Sequence, residues 1–253
     1  MDIDEKKISV FDNIEMMMKE FDQIEEQAMK DTVQKNWNAR DDKNKINDEM
    51  RKELYKPLII VGPSGVGKST LIKHLTDKYP DMFGFSVSYT TRAPRAGEQH
   101  GVNYFYIDKE EFLEMEKQDG FIESCHVHNN CYGTAKSQIT SIRESKKIPL
   151  LDIDIQGTVK FCKCFANTNT LFVLPPSIAE LEARLRKRGT ETEESLKTRI
   201  GNSINEIQQG LKNDSDPEYS LIGTRIVNAD LELSKSVFTK LIEGTYPEEL
   251  GGK

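Results

Sequence analysis

Short apolar runs alternate with amphipathic stretches along most of the chain, from Pro57 onward. Such runs are typical of buried strands, and apolar residues spaced three and four apart are typical of helices. The predicted strands are Leu58–Val61, Phe83–Ser88, Tyr104–Ile107, Phe121–Val127, Ile148–Ile153, Thr170–Leu174 and Leu221–Val227. The predicted helices begin after the first strand and then cover Lys109–Lys117, Lys136–Ser145, Thr158–Phe165, Ile178–Arg188, Glu193–Leu211 and Leu231–Glu243. This alternation predicts an α/β fold whose parallel sheet binds ligands at the carboxyl ends of its strands.

The stretch from about Gly84 to Thr134 departs from this alternation, because it is rich in strands with short connections. A strand-rich segment between two βα units predicts a separate lobe inserted into the α/β core. No internal repeat is visible along the chain.

Residues 1–56 have a different character, rich in charged and amide side chains. Within them, Phe11, Ile14, Met18 and Phe21 recur at helical spacing and predict a short amphipathic helix, followed by a weak helix or linker. Two interpretations stay open. The segment is either a solvated, partly disordered tail, or a helix that docks on the core or on a second subunit, with Trp37 as its anchor.

The composition is that of a soluble protein, with 36% hydrophobic and 30% charged residues among 253. A net charge of −7 gives the chain as a whole no attraction for nucleic acid or an anionic membrane. No apolar run approaches the ~20 residues of a membrane span. The first residues lack the features of a signal or transit peptide, so we expect a cytoplasmic location. The four cysteines form no C-x-x-C pair and are expected to be reduced thiols.

The most specific motif is the sequence GPSGVGKS at residues 62–69, which fits the phosphate-binding P-loop. It follows the predicted strand Leu58–Val61 and precedes a helical pattern, which is the context that the motif requires. Glycines let backbone N–H groups crowd around phosphate oxygens, and Lys68 adds a full positive charge. Ser69 can offer its hydroxyl to Mg²⁺. The loop therefore predicts a bound nucleoside triphosphate.

Two further segments carry phosphate or metal chemistry. Arg92 and Arg95, bracketed by hydroxyl residues, suit a bidentate grip on a second phosphate, although an arginine-containing surface turn would look the same. The apolar run before Asp152 and Asp154 ends in acids, as a Mg²⁺-holding strand does. The alternative for Asp154 is a plain helix N-cap.

A fourth segment predicts a helical hairpin that carries arginines. Arg184 and Arg188 are four residues apart and share a helix face, and Arg199 lies on the next helix. A mobile hairpin of this kind acts as a lid that excludes water and brings positive charge to a transferring phosphoryl group. The alternative is an ordinary charged helix with pairs such as Glu180–Arg184.

These segments together resemble guanylate kinase. The chain carries GPSGVGKST, FGFSVSYTTRAPRAGE, FIE, YGT, LDIDIQG and RGTETEE in that order, and the resemblance covers about residues 57–246. It implies a P-loop parallel-sheet core, a GMP-binding lobe at about 84–138 and a lid at about 177–203, leaving 1–56 as an extension and 247–253 as a C-terminal tail. The implied reaction is ATP + GMP → ADP + GDP, with Mg²⁺.

The resemblance also implies roles for individual residues. Glu123 would accept hydrogen bonds from guanine N1–H and N2–H₂, a donor pair that adenine lacks, so an unpaired carboxylate would penalise AMP. The implied GMP-binding residues are Ser88, Arg92, Arg95, Tyr104, Glu123, Tyr132, Thr134 and Asp154, with the arginines and tyrosines on the phosphate and Ser88 and Thr134 on guanine O6. The implied ATP-binding residues are Gly62, Ser64, Gly65, Val66, Gly67, Lys68, Ser69, Thr70 and Asn228. The implied catalytic residues are Lys68, Arg92, Arg95, Arg184, Arg188 and Arg199, and the metal-binding residues are Ser69 and Asp152.

The chain departs from the family pattern at Ala229, where an acid usually follows Asn228, so one adenine contact is in doubt. His126, His128 and Cys131 lack a closed ligand set, and we interpret them as surface variation. The main alternative function is a non-catalytic guanylate-kinase-like module that binds phosphopeptides, which would be expected to lose Lys68 and the lid arginines. The expected partners are ATP and GMP, with no nucleic acid or membrane, and residues 1–56 are a candidate for forming a homo-oligomer.

Overall fold

The computed structural model describes residues 54–250, apart from residues 96, 128, 166, 188–191 and 212–222. The helix predicted around Phe11–Phe21 therefore lies outside the described residues, as do Trp37, His128 and Arg188, which was predicted to belong to a lid. Among the helices of the described part, none is long and apolar enough to cross a membrane.

The chain alternates strands and helices as its apolar pattern predicts. The described strands are β1 (Leu58–Val61), β2 (Phe83–Phe85), β3 (Tyr89–Thr90), β4 (Phe105–Tyr106), β5 (Phe121–Val127), β6 (Asn130–Ala135), β7 (Ile148–Asp152), β8 (Asn169–Leu174) and β9 (Thr224–Val227). The described helices are α1 (Lys68–Lys78), α2 (Lys109–Lys117), α3 (Lys136–Glu144), α4 (Ile155–Cys164), α5 (Ile178–Lys187), α6 (Glu193–Leu211), α7 (Leu231–Thr245) and α8 (Pro247–Leu250).

The core is a parallel sheet with the strand order β2–β7–β1–β8–β9. All four residues of the central strand β1 are at most 1% exposed, because helices cover both faces of the sheet. In register, Ile60 of β1 lies beside Asp152, the last residue of β7. The loop after β1 and the acid that ends β7 therefore meet at the same edge of the sheet, where doubly wound folds bind their ligands.

A second sheet forms the inserted lobe that the strand-rich segment predicted. Its order is β4–β3–β6–β5, with β5 and β6 as an antiparallel hairpin and β3 parallel to β4. The lobe has a small core of its own, in which the rings of Phe112 and Phe121 stack at 4.6 Å between centroids. The predicted fold class, a parallel-sheet core with an inserted strand-rich lobe and a helical hairpin, is confirmed.

The structure corrects several predicted boundaries. Helix α4 begins at Ile155 and not at Thr158, because the Asp154 side chain caps it by accepting from the Gly157 N–H at 2.7 Å. Strand β2 ends at Phe85, since the Gln138 side chain amide binds both the N–H and the carbonyl of Val87 in place of a neighbouring strand. Strands β3 and β6 were not predicted.

The described chain ends in a further short helix. Residues 247–250 were expected to begin a tail, but they form α8, and Leu250 is only 7% exposed in the core. Glu249 accepts a hydrogen bond from the backbone N–H of Tyr55, which ties this helix to the start of the described chain. The folded unit therefore extends to residue 250.

Candidate active site

A cleft of about 430 Å³ opens between the carboxyl edge of the parallel sheet, the second sheet and α6. The predicted site residues that line it come from four separate parts of the sequence. They are Gly62, Ser64, Lys68, Ser88, Arg92, Arg95, Tyr104, Glu123, Tyr132, Asp152, Asp154 and Arg199. The fold thus brings the glycine loop, the paired arginines and the acids after β7 into one cavity.

The loop after β1 is held in shape by glycine and by a buried amide. Gly67 has a φ of 106°, a conformation that side-chain-bearing residues rarely adopt, and a Cβ there would lie 2.4 Å from Asn228 Nδ2. The same Nδ2 donates to the carbonyl of Val66 at 2.8 Å, and Asn228 is only 4% exposed. Asn228 therefore braces the loop from behind.

Lys68, the first residue of α1, faces the cleft. Its Nζ donates to the carbonyl of Gly62 at 2.5 Å and lies 3.5 Å from Asp152 Oδ1. The ammonium group is thus positioned at the mouth of the loop, beside the acid that ends β7. A phosphate bound to the loop amides would meet this charge.

The predicted metal residues fit Mg²⁺ by their chemistry. Asp152 lines the cleft with a side chain that is 30% exposed, whereas Ser69 is exposed at the start of α1, next to the cleft residue Lys68 in sequence. Mg²⁺ prefers oxygen donors and usually keeps several waters, so that one or two protein ligands and the substrate phosphates suffice. Within the described residues, no cluster of three or more His, Cys, Asp or Glu forms a complete metal cage.

The arginines of the predicted lid lie at different places. Arg199 lines the cleft, and its Nη1 donates to Ser64 Oγ at 3.2 Å. Arg184 instead donates to the carbonyls of Val66 at 3.3 Å and Asn228 at 3.0 Å, and it pairs with Glu180 at 3.0 Å. Arg184 therefore forms the ion pair with Glu180 that the sequence left as an alternative, and it also contacts the glycine loop at Val66.

Arg92 is fixed by Glu98, a residue that sequence reasoning did not single out. Arg92 Nη2 donates to both carboxylate oxygens of Glu98 at 2.9 Å. The same carboxylate accepts from the Arg95 N–H at 2.7 Å and from the Tyr106 hydroxyl at 2.8 Å. Burial alone would raise the pKa of Glu98, but these hydrogen bonds and the Arg92 charge outweigh it and lower that pKa. Glu98 is therefore ionised at neutral pH and holds the arginine turn together.

Two tyrosines complete this part of the cleft. The Arg92 guanidinium lies over the Tyr104 ring at 5.4 Å from its centroid, and the rings of Tyr104 and Tyr132 meet edge to face at 6.0 Å. Burial, followed by nearby negative charge, raises the pKa of Tyr104, so its phenol stays a hydrogen-bond donor. Two phenols and two arginines thus line the same cleft, and donors of these kinds suit a dianion.

Glu123 is a buried carboxylate that lines the same cleft, only 6% exposed. The cross-strand pairing of β5 with β6 sets Glu123 opposite Thr134, whose Oγ1 donates to Glu123 Oε1 at 2.7 Å. Burial raises the pKa of Glu123, and the charge of Asp154 acts in the same direction. Thr134 itself is fully buried and does not line the cavity.

Besides Glu98, the cleft contains Cys125, Ile153 and Glu206, which sequence reasoning also missed. Burial raises the pKa of Cys125 to about 12, so this thiol stays protonated and is a poor nucleophile. Burial likewise raises the pKa of Glu206 to about 7. Glu206 lies seven residues after Arg199 on α6, and that spacing, two helical turns, would have indicated that both face the cleft.

This fold and cleft define a P-loop protein in which the loop shares one cleft with a cluster of arginines and tyrosines. The family profile described as "Guanylate kinase" matches residues 54–243, and the chain belongs to the guanylate kinase family. The recognition made from the motifs is therefore confirmed.

Individual relatives agree with this assignment. The chain is 45% identical over 164 residues to "Guanylate kinase" of Clostridium perfringens, covering 65% of this chain and 74% of that protein. It is 44% identical over 184 residues to "Guanylate kinase 1" of Arabidopsis thaliana, covering 72% of this chain but only 46% of that protein. The chain thus spans about half the length of this plant relative. The crystal structure of guanylate kinase from Anaplasma phagocytophilum superposes with a TM-score of 0.56 at 26% identity, covering 77% of this chain and 87% of that one.

Proposed function

We propose that this chain catalyses the Mg²⁺-dependent transfer of the γ-phosphoryl group of ATP to GMP, giving ADP and GDP. The observation that carries the proposal is that Lys68, Arg92 and Glu123 line a single cleft. Phosphoryl transfer from ATP to a guanine nucleotide requires three parts: a loop that binds the triphosphate, a second site that binds the acceptor phosphate, and a group that recognises guanine. Lys68, Arg92 and Glu123 represent these three parts.

The glycine loop is proposed to hold ATP. Its backbone N–H groups from Gly65 to Thr70 would bind phosphate oxygens, and Lys68 would neutralise their charge. Ser69 and Asp152 would hold Mg²⁺, which when bound neutralises charge on the phosphates. Asn228, which was predicted to contact adenine, has its side chain amide bound to Val66, so we assign it first to bracing the loop.

The arginine turn is proposed to hold the GMP phosphate. Arg92, Arg95, Tyr104 and Tyr132 supply charged and phenolic donors around one part of the cleft. The ion pair with Glu98 restrains Arg92 before the substrate arrives, so less ordering is left to binding itself. A GMP phosphate seated there would face Lys68 across the cleft.

Guanine specificity is proposed to come from Glu123, with Asp154 beside it. An ionised carboxylate in a closed pocket accepts from guanine N1–H and N2–H₂, whereas AMP would leave it unpaired. The single hydroxyl proton of Thr134 goes to Glu123, so we assign Thr134 to orienting that carboxylate. Ser88, which lines the cleft, is then the donor to guanine O6.

Transfer itself is proposed to depend on positioning and positive charge. The GMP phosphate is already an anionic nucleophile, so no general base is required. Lys68, Arg92 and Arg199 line the cleft and would stabilise the charge that develops on the transferring group. Arg184 would join them only when the hairpin at about 177–203 closes as a lid, together with Arg188.

The domain boundaries and the cellular setting belong to the same proposal. We assign the kinase unit to residues from 57 to at least 250, with the acceptor lobe at about 84–138. A cytoplasmic location and an oligomer through residues 1–56 stay predictions. The phosphopeptide-binding alternative is not favoured, because Lys68, Arg184 and Arg199 are all present.

A coupled assay of ADP formation with ATP and Mg²⁺ tests the proposal. We expect rapid turnover with GMP and far slower turnover with AMP, because only guanine satisfies the Glu123 carboxylate. Equal rates with the two nucleotides would refute the guanine assignment. No turnover with either nucleotide would refute the kinase assignment.

A further inference from the structure

Gly157, the third residue of α4, lies next to both carboxylates of the pocket assigned to guanine. Its N–H donates to Asp154 Oδ1 at 2.7 Å, and the residue is buried. A Cβ built on its backbone would lie 3.1 Å from Glu123 Oε2 and 3.3 Å from Asp154 Oδ1. Both distances are shorter than ordinary van der Waals contact, so at least one carboxylate would have to move by a few tenths of an ångström.

The backbone offers no other reason for a glycine at this position. Gly157 is not among the glycines with a positive φ, and it lies within a regular helix. In a helix, alanine is more favourable than glycine by about 1 kcal/mol. Local helix stability therefore favours a side chain at 157, whereas the two carboxylates exclude one.

The surroundings of Glu123 leave it little room to adjust. It is 6% exposed, and Thr134 holds its other carboxylate oxygen at 2.7 Å. Asp154 is held in turn as the N-cap of α4. A methyl group at residue 157 would therefore act on both acids at once, and recognition of a planar base tolerates errors of only about 0.5 Å.

We propose that Gly157 is a specificity-determining position: its missing side chain sets where Glu123 and Asp154 face the cleft. The inference rests on the proposed function, because it concerns the pocket assigned to guanine. Gly157 acts through the two carboxylates and is a positioning residue.

The test is Gly157→Ala in the full chain, with steady-state kinetics for GMP, AMP and ATP and a thermal unfolding curve. We expect the KM for GMP to rise about 10-fold, with a smaller change in kcat, because the Glu123 and Asp154 carboxylates that would accept from guanine are displaced. The KM for ATP should stay near the wild-type value, and the ratio of GMP to AMP efficiency should fall. The unfolding midpoint should stay unchanged or rise, which separates this effect from misfolding.

Ser141→Ala is the control, because Ser141 is exposed on α3 and does not line the cleft. This variant should gain helix stability without a change in the KM for GMP. If the wild-type protein uses GMP and Gly157→Ala has the same KM for GMP, this proposal is overturned and the proposed function stands. If the wild-type protein does not use GMP, both the role of Gly157 and the proposed function are overturned.

Discussion

Arg92 and Glu98 form an ion pair in which one guanidinium nitrogen, Nη2, donates to both carboxylate oxygens at 2.9 Å. The pair is largely buried, with side-chain exposures of 14% and 19%. Because Glu98 also accepts from the Arg95 N–H and the Tyr106 hydroxyl, it fixes the whole arginine turn. The acceptor half of the site is therefore preorganised by a residue that need not touch the substrate.

Glu98→Gln should therefore weaken acceptor binding. The loss of charge leaves Arg92 less restrained, and we expect the KM for GMP to rise about 10-fold while the KM for ATP changes little. Steady-state kinetics with each substrate varied in turn measure this. Glu110→Gln, at an exposed position on α2, is the control and should behave like the wild type. An unchanged KM for GMP in Glu98→Gln would show that Arg92 does not depend on this carboxylate.

Glu123→Gln tests the source of base specificity. Glutamine has nearly the volume of glutamate but carries an NH₂ donor in place of one acceptor oxygen. The guanine N1–H and N2–H₂ donors would therefore face an N–H group that repels them. We expect kcat/KM for GMP to fall on the order of 100-fold or more, with the KM for ATP near its wild-type value. GMP kinetics equal to those of the wild type would refute the role assigned to Glu123.

Lys68→Met tests the donor half of the site. The substitution keeps the stem of the side chain but removes the charge that lies 3.5 Å from Asp152. We expect kcat to fall by about 10²–10³-fold, since preorganised positive charge is lost from the transferring group. Lys73→Met on the same helix removes only an exposed pair with Asp77 and should leave kcat unchanged. Comparable losses in the two variants would point to a general effect on α1.

Glu206 predicts a pH-dependent contribution to stability. An ordinary glutamate titrates near 4.5, whereas burial raises the pKa of Glu206 to about 7. Between these values the folded state binds more protons than the unfolded state, so this carboxyl lowers the free energy of unfolding as the pH rises. Glu206→Gln removes the penalty and should be more stable than the wild type at pH ~8, by up to about 3 kcal/mol, but similar to it near pH ~5.

Denaturant unfolding of both proteins across this pH range measures the difference. Glu194→Gln, exposed at the start of the same helix, should show a much smaller change with pH. A free energy difference between Glu206→Gln and the wild type that does not change with pH would contradict the raised pKa of Glu206.

Much of the fold could be predicted because its signals are local. Strands β1 and β5 and helices α2 and α6 have the predicted bounds, since their apolar periodicity is strong. Strand β3 has only two residues and exists because β4 and β6 pair with it, which no local pattern reveals. Strand β6 contains Gly133, which lowers strand propensity, and it is likewise specified by its partner.

The site was predictable where a motif encodes it and not where packing does. The glycine loop and the paired arginines carry their chemistry in consecutive residues, and the structure brings both to one cleft. The position of Glu98 depends on how the arginine turn closes, and the position of Glu206 depends on which face of α6 points to the cleft. The contact of Arg184 with Val66 depends on how the hairpin lies over the loop. These relationships involve residues far apart in the sequence, so only the folded chain reveals them.

The most direct test of the central claim follows the label from γ-labelled ATP in the presence of Mg²⁺ and GMP. Lys68, Arg92 and Glu123 in one cleft predict that the label appears in GDP, and that far less transfer occurs when AMP replaces GMP. Label released only as inorganic phosphate, or no transfer to GMP at all, would contradict the account.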